Sequence, residues 1–383
     1  MTLQGKHILV GISGGIAAYK IPELIRLLQK EGAEVRVTTT ENALQFVTEL
    51  TLRTLTGALV YSDVFAAVNQ HATEHISLPD WADLMVIAPA TANILGKMAH
   101  GIADDALTTT FAAMLKPVVI APAMNDKMYI NPATQDAMHL LSSQQHITML
   151  DCATGYLACG SEGKGRMQEI DVIAEAVISA LTPKTLLGKK VMITSGPTQE
   201  KLDPVRFISN FSTGKQGRAL AKEAARRGAE VTLISGSMSA QEMYETCMQT
   251  FPQMDIAILA AAVADFTPEE VAPEKIKKQP GQTEMILRLR KTPDIAASLG
   301  KIKRQDQTLI GFALETENEE FNALRKLEQK NLDMIVLNSL KDKGAGFGYD
   351  TNKVTFLTRD GHKKSLPLMS KEETASEIIN CLS

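Results

Sequence analysis

Cysteine is scarce: Cys152, Cys159, Cys247 and Cys381 are all that 383 residues contain, and they form no C-x-x-C pair. None stands at zinc-ligand spacing from the seven histidines, which excludes a zinc ribbon and a disulfide-stapled secreted scaffold. Positive charge is not in excess, with a formal net charge of −4, so a general nucleic-acid or membrane-surface binder is disfavoured. No apolar run reaches the roughly 20 residues that a membrane helix needs. The opening MTLQGKHILVGISGG is too short in its apolar part, and too soon broken by glycine, to serve as a secretory leader. Together these predict a reduced, cytoplasmic chain with no nucleic-acid or membrane partner. G-x-G-x-x-G is missing too, which argues against a nicotinamide dehydrogenase.

What is present is an echo. Residues 3–14 (LQGKHILVGISG) and 186–196 (LLGKKVMITSG) each put a basic pair before a short apolar run and a Gly/Ser turn, the form of a buried strand entering a loop. EGAEVRVTTT (31–40) pairs with RGAEVTLISG (227–236), and WADLMVIAPAT (81–91) with QMDIAILAAAVAD (253–265). Strands alternating with helical stretches imply right-handed crossovers and parallel sheets. The fold class expected is therefore α/β, with two doubly wound parallel-sheet domains, 1–184 and 185–383, joined near Thr182-Pro183-Lys184. Ligands of such sheets bind beyond the carboxyl ends of the strands.

In the first half, GISGGIAAYK sets Ser13, Gly14 and Gly15 between a strand and a helix, as either a tight turn or a phosphate loop. Thr40 closes the second strand, and Thr91 and Asn93 follow the third in APATAN, offering hydroxyl and amide donors to a mononucleotide phosphate. His75 precedes that strand, Asn125 follows PVVIAPA where an amide commonly caps a turn, and Cys159 sits among glycines beside Lys164 and Arg166. Those cations predict an electropositive loop that lowers the thiol pKa. In the second half, TSGPTQEKLDPVRFISNFSTGKQGRALA reads as a long loop before a helix starting near Gly214, with Arg206, Asn210, Ser212, Thr213 and Lys215 as donors for an anion. Asp265 ends a strand where a carboxylate takes a nucleotide or its Mg²⁺; Lys275, Lys277 and Lys278 form a basic run; and Lys326 and Lys330 stand at i, i+4. The stretch 341–361 reads as a glycine-rich flap and a hairpin.

SGGIAAYK, APATAN, PAMNxxM and GYLACGxxGxGRM in this order, with the second-half segments, resemble the bifunctional phosphopantothenoylcysteine decarboxylase/phosphopantothenate–cysteine ligase family over essentially the whole chain. One departure is Tyr129, where that family commonly has Trp. The resemblance implies a flavodoxin-like, homo-oligomeric flavin-containing cysteine decarboxylase domain followed by a Rossmann-like ligase domain. It implies FMN held by Ser13, Gly14, Gly15, Thr40, Thr91 and Asn93, with Cys159 as the final proton donor, Asn125 on the substrate carboxylate and His75 beside the flavin as base or orienting group. It further implies that Asn210 acts on an acyl-cytidylate, that Asp265, Lys275, Pro293, Asp294, Ile295, Ala296, Phe312, Lys326 and Lys330 contact CTP, and that Mg²⁺ or Mn²⁺ assists near Asp265. The implied substrates are 4′-phosphopantothenate, cysteine and CTP, and the implied assembly is a large homo-oligomer with trimeric decarboxylase and dimeric ligase contacts. A flavin prenyltransferase or peptidyl-cysteine decarboxylase shares the first-half pattern but leaves the second half unexplained. A non-catalytic flavodoxin-like regulator has no need of His75 and Cys159.

Overall fold

The computed structural model describes residues 2–65, 73–156, 160, 162–277, 283–315, 317–339 and 348–382. The chain forms two compact units, Met1–Thr182 and Pro183–Ser383. The break follows from local chemistry. The helix Ile170–Leu181 ends at an extended Thr182, and the residue before a proline is sterically barred from the helical region.

The first unit is built on β1 (His7–Ile12), β2 (Glu34–Thr39), β3 (Val60–Tyr61), β4 (Leu84–Ala90), β5 (Val118–Pro122) and β6 (Ile147–Met149), all parallel, in the order β3-β2-β1-β4-β5-β6. Alternation divides β4 between two cores: Leu84, Val86 and Ala88 face one, Met85 and Ile87 the other. A register shift between Ile87 and Ala90 then turns Ala90 to the second face, and Thr91 follows it. Bulges next to ligand sites commonly re-aim a side chain in this way. Helix Ile21–Lys30 buries Ile21, Leu24, Ile25 and Leu28, a one-sided stripe, on the first face. Helices Ala92–Ala99, Ala106–Ala112 and Pro132–Ser142 cover the second. An antiparallel pair, β7 (Ala153–Tyr156) and β8 (Glu162–Arg166), completes the unit's strands.

The second unit contains β9 (Lys190–Thr194), an antiparallel pair β10 (Gln199–Lys201) and β11 (Phe207–Ser209), then β12 (Glu230–Ile234) and β13 (Ile256–Leu259). A second pair, β14 (Phe266–Pro268) and β15 (Leu289–Lys291), is followed by β16 (Thr308–Glu315), β17 (Met334–Ser339), β18 (Thr351–Asn352), β19 (Val354–Thr358) and β20 (Lys363–Ser365). The main sheet runs β12-β9-β13-β16-β17-β19-β20, parallel as far as β17 and antiparallel beyond. Helices Lys215–Arg226 and Lys371–Asn380 pack on one face; Ala240–Thr250, Ile295–Ile302 and Glu319–Gln329 pack on the other.

Both units are the doubly wound sheets expected, and the echo is structural. Its three segment pairs become β1, β2, β4 and β9, β12, β13, with the same neighbours in each sheet. Strand order refines the two fold labels. The first sheet has the order associated with dinucleotide-binding folds, and the parallel part of the second, counted within its unit, runs 2-1-3-4-5 as in flavodoxins. Two expectations change. The segment before Gly214 is not a plain loop but the β10–β11 pair, whose turn Asp203 closes by accepting from the backbone N–H groups of Val205 and Arg206 at 2.8 and 2.9 Å. Of the stretch 341–361 expected as flap and hairpin, residues 341–347 lie outside the described residues, whereas a hairpin is present as β19–β20.

Candidate active sites at two strand edges

In the first unit, Ser13 is buried at the end of β1, with its Oγ donating to the carbonyl of Pro89 at 2.7 Å and accepting from Thr91 N at 3.0 Å. This ties the β1 and β4 loops together at the switch point of the sheet. A Cβ on Gly14 would stand 2.5 Å from Asn42 Cβ, so only glycine lets the loop lie this close to its neighbour. The hydroxyls of Thr38, Thr39 and Thr40, at the end of β2, are buried and find no hydrogen-bond partner among the described residues. The same holds for the Tyr61 hydroxyl at the end of β3. Buried orphan donors are rare, so these mark where a ligand's acceptors belong. Thr38, Thr39 and Tyr61 were not singled out from the sequence, although the TTT run at a strand end was the available signal.

Thr91 caps helix Ala92–Ala99, and Asn93 is exposed in its first turn. His75 is half-buried at the second position of helix Glu74–Trp81. Neighbouring Glu74 is close enough to act with burial in raising the Tyr61 pKa. Asn125 caps helix Asp126–Tyr129 through its Oδ1, which accepts from Lys127 N at 2.9 Å. Strand β8 lies against this turn: Gly165 O accepts from Met124 N at 2.8 Å, and a Cβ on Gly163 would stand 2.8 Å from that of Asp126. Cys159 lies outside the described residues, in the segment joining β7 to β8.

The two cations expected beside that cysteine each have a carboxylate partner. Lys164 donates to Asp151 at 2.5 Å, and Arg166 pairs with Glu169, so both cations are neutralised locally. Tyr129 explains part of this arrangement. Its hydroxyl donates to Asp151 at 2.8 Å while Lys164 stands 5.3 Å above its ring. Lys164, then Tyr129, hold the Asp151 carboxyl below the usual carboxylate range against the effect of burial. The described thiols are free, and burial pushes Cys152 and Cys247 up to about 12, which makes them inert at neutral pH.

In the second unit a cavity of about 480 Å³ opens over the strand ends. Its floor is the backbone of 260–264, fixed from several sides. Thr194 Oγ1 accepts from Ala261 N at 3.1 Å, Thr198 Oγ1 accepts from Ala264 N at 3.0 Å, and Thr292 Oγ1 donates to Ala264 O at 2.6 Å. Asn210 Nδ2 donates to the carbonyls of Ala262 and Val263 at 3.0 and 3.3 Å. Gly214, at φ +72°, caps helix Lys215–Arg226, and a Cβ on Gly217 would stand 2.5 Å from Ser195 Cβ. On the opposite wall Asp294 caps helix Ile295–Ile302 and pairs with Lys330 at 3.0 Å, while Lys326 pairs with Glu315 at 2.6 Å. Burial opposes ionisation of Asp294, yet the Ala297 N–H and Lys330 keep its carboxyl below the usual range.

Residues 1–182 match the family described as Flavoprotein, and residues 186–383 match the DNA/pantothenate metabolism flavoprotein C-terminal domain. The coenzyme A biosynthesis bifunctional protein CoaBC of Bacillus subtilis (strain 168) is 47% identical over 395 residues, covering 98% of this chain and 96% of that protein. The chain belongs to the coenzyme A biosynthesis bifunctional protein family. It is a bifunctional enzyme of coenzyme A biosynthesis with decarboxylase activity, and its first half is a flavoprotein domain. A cysteine/cysteine sulfinic acid decarboxylase from an unknown prokaryotic organism is 48% identical over 354 residues, covering 87% of this chain and 98% of that one. The solved C-terminal domain of a CoaBC protein is 37% identical, covering 52% of this chain and 96% of that chain, with a TM-score of 0.43.

Within the bifunctional enzyme, Asn210, Asp265, Pro293, Asp294, Ile295, Ala296, Phe312, Lys326 and Lys330 all line the one cavity. Lys275 does not. It is exposed on a segment that Asp203 and Arg206 hold through the backbone N–H and carbonyl of Ile276, and Lys278 lies outside the described residues. Sequence reading missed Asn338, Asn352 and Lys371 in the lining, because only the folded chain brings them there. Among the described residues no group of three or more His, Cys, Asp or Glu side chains is placed to hold a metal ion, and no helix is long and apolar enough to cross a membrane.

Proposed function

We propose that the second domain joins cysteine to 4′-phosphopantothenate at the expense of CTP, and that the first decarboxylates the 4′-phosphopantothenoylcysteine so formed to 4′-phosphopantetheine with FMN. The observation that carries this reading is the cavity over β9, β13 and β16, whose lining gathers glycine-loop, acidic and cationic residues from segments far apart in the chain. The substrate carboxylate attacks the α-phosphate of CTP, releasing pyrophosphate; the cysteine amine then displaces CMP from the acyl-cytidylate. Lys326 and Lys330 exchange their carboxylate partners for the nucleotide's charge, and Asp265 meets the nucleotide at the cavity's rim. Asn210 works through position: its N–H groups are spent on the 262–263 carbonyls, leaving its Oδ1 to accept from the incoming amine. Mg²⁺ or Mn²⁺ arrives with the triphosphate.

In the first domain Ser13, Gly14, Gly15, Thr91 and Asn93, with the three threonine hydroxyls, fit the phosphate and ribityl oxygens of FMN. Held there, FMN would supply a reversible two-electron acceptor for the substrate's cysteinyl side chain, so that CO₂ loss leaves no net oxidation. The cap on Lys127 occupies Asn125 Oδ1, so its amide N–H is the part that meets the substrate carboxylate. His75 borders the flavin edge, and Cys159 gives the last proton to the ene-thiolate. The assembly is a cytoplasmic homo-oligomer with trimeric decarboxylase and dimeric ligase contacts.

The full chain, given CTP, cysteine and 4′-phosphopantothenate, is expected to release pyrophosphate, CMP and CO₂ in equal amounts. Cys159→Ser is expected to release CO₂ yet accumulate the ene-thiol product; normal yields of 4′-phosphopantetheine from that variant overturn its role. The relative named for cysteine and cysteine sulfinic acid supports a second reading. CO₂ from either compound alone, without CTP, favours it.

A further inference from the structure

Helix Glu74–Trp81 carries His75 in its first turn and Trp81 at its last position. It follows β3 and precedes β4, so it runs from the ligand edge of the first sheet to the opposite edge. His75 and Trp81 stand about 9 Å apart along its axis. By itself this helix is weak. Eight residues fall short of what an isolated helix needs in water. Pro79, inside it, has no N–H to give the His75 carbonyl, so the rung that would tie that turn to the next is missing. Its start has no side-chain cap from Thr73, and the residues it buries are Leu78 and Pro79.

The other end is fastened from several sides. Lys116 Nζ, just ahead of β5, donates to the carbonyls of Asp80 at 2.7 Å and Ala82 at 2.6 Å. The Trp81 carbonyl between them can only accept, so His7 presents Nδ1–H to it at 3.1 Å. A helix end leaves such carbonyls without intrahelical partners, and a cation there also suits the helix dipole. The Trp81 indole stacks on the His7 ring, with centroids 4.7 Å apart and planes 16° from parallel, and Arg36 Cζ stands 4.2 Å from its centroid. Glu34 reaches both partners, His7 Nε2 at 3.7 Å and Arg36 Nη2 at 3.4 Å. Asp83 then pins the chain to β1: its Oδ2 accepts from His7 N, and its N–H donates to His7 O, each at 2.8 Å. A short helix gripped at one end passes any tilt of the grip to the other.

Resting on the reading of His75 as a group of the decarboxylase centre, we propose that Lys116 and Trp81 are positioning residues for decarboxylation. They stand at the opposite edge of the sheet from the ligand loops. By fixing the far end of the helix they set where His75 meets the ligand edge.

Steady-state decarboxylation of supplied 4′-phosphopantothenoylcysteine by the flavin-loaded full chain, in a double-mutant cycle with His75→Ala, tests this. Lys116→Met and Trp81→Leu are each expected to lower kcat about tenfold at near-normal KM and FMN affinity, with Lys116→Arg and Trp81→Phe restoring most of the loss. In the His75→Ala background neither is expected to lower kcat further, because both act through that ring. Lys116→Met is also expected to change the rate at which diethyl pyrocarbonate labels His75, read by peptide mass spectrometry, and Lys116→Arg to restore it. Flavin absorbance and pyrophosphate release by the ligase domain report whether each variant is folded; if Trp81→Leu loses its flavin, the Lys116 variants decide. Full kcat or unchanged His75 labelling in Lys116→Met, loss of its flavin, or a deficit that adds in full to that of His75→Ala overturns the proposal. Wild-type kcat in His75→Ala overturns instead the reading of His75 on which it rests.

Discussion

The two domains begin with the same three strands in the same relative order, yet their ligand edges are finished in opposite ways. The first presents neutral groups: buried threonine hydroxyls with no partner among the described residues and a glycine loop pressed against Asn42. The second presents charge, most of it already compensated, as in Lys330–Asp294, Lys326–Glu315 and Lys215–Asp350. A resident cofactor can be met by fixed dipoles, because the site need not exist for long without it. A site that binds and releases charged substrates each turnover needs internal counter-charges. These pairs are partly exposed, so each can separate at small cost when a charged ligand arrives.

Glycine substitutions should break this comparison most sharply. Gly217→Ala forces a Cβ against Ser195 and should cut pyrophosphate release about 10²-fold, while the flavin absorbance is retained. Gly14→Ala, which meets the Asn42 side chain and backbone, should do the reverse: flavin is lost on gel filtration and the ligase half-reaction persists. Loss of both functions in either variant would show that the edges are not independent. Next in size, Thr38→Val or Thr39→Val should weaken FMN binding about tenfold in fluorescence titrations. The same change should leave the flavin-free protein as stable or slightly more so, because it removes a buried group with no partner among the described residues. A destabilised flavin-free variant would mean that those hydroxyls serve the fold.

Acid sharpens the comparison from the charged side. Burial favours the neutral form of Asp203, but hydrogen bonds from Arg206 and from the N–H groups of Val205, Ile276 and Arg206 hold its carboxyl well below the usual range. A carboxyl with a depressed folded pKa stabilises the fold above its unfolded value of about 4. That contribution is lost as the pH falls toward the folded value. The thermal midpoint of the ligase domain should therefore drop below about pH 4, and Asp203→Asn should show a lower midpoint at pH 7 with a shallower acid decline. Smallest is Tyr129→Phe. It removes one exposed hydrogen bond to Asp151 but keeps the ring under Lys164, and should cost less than about 1 kcal/mol of stability. A larger loss, measured by chemical denaturation, would show that this cluster anchors β8.

Much of this was legible in the chain itself. Apolar runs with β-branched residues located the strands, because a strand buried on both faces has no other composition available. Thr182-Pro183 marked the domain break by sterics, and Gly214 marked the helix start at Lys215. The loop before Gly214 pointed to Asn210, Ser212, Thr213 and Lys215 of the cavity lining, since in a parallel sheet the ligand edge follows each strand directly in sequence, whereas Pro293, Asp294, Ile295, Ala296 and Phe312 came from the family resemblance. The partners of the cations near Cys159 were not legible. Lys164 and Arg166 are visible in sequence, but their carboxylate partners are supplied by the fold. Lys275 looked like part of a phosphate cluster and faces solvent, because the turn of β10–β11 fixes the chain beside it.

The sequence by itself determined two doubly wound sheets, because strand and helix patterns depend on local composition and sterics. Only the tertiary structure decided the strand order, the pairing of each cation, and the meeting of Gln216, Asn352 and Lys371. Those contacts join residues as much as 155 positions apart, and no local preference of the chain encodes them.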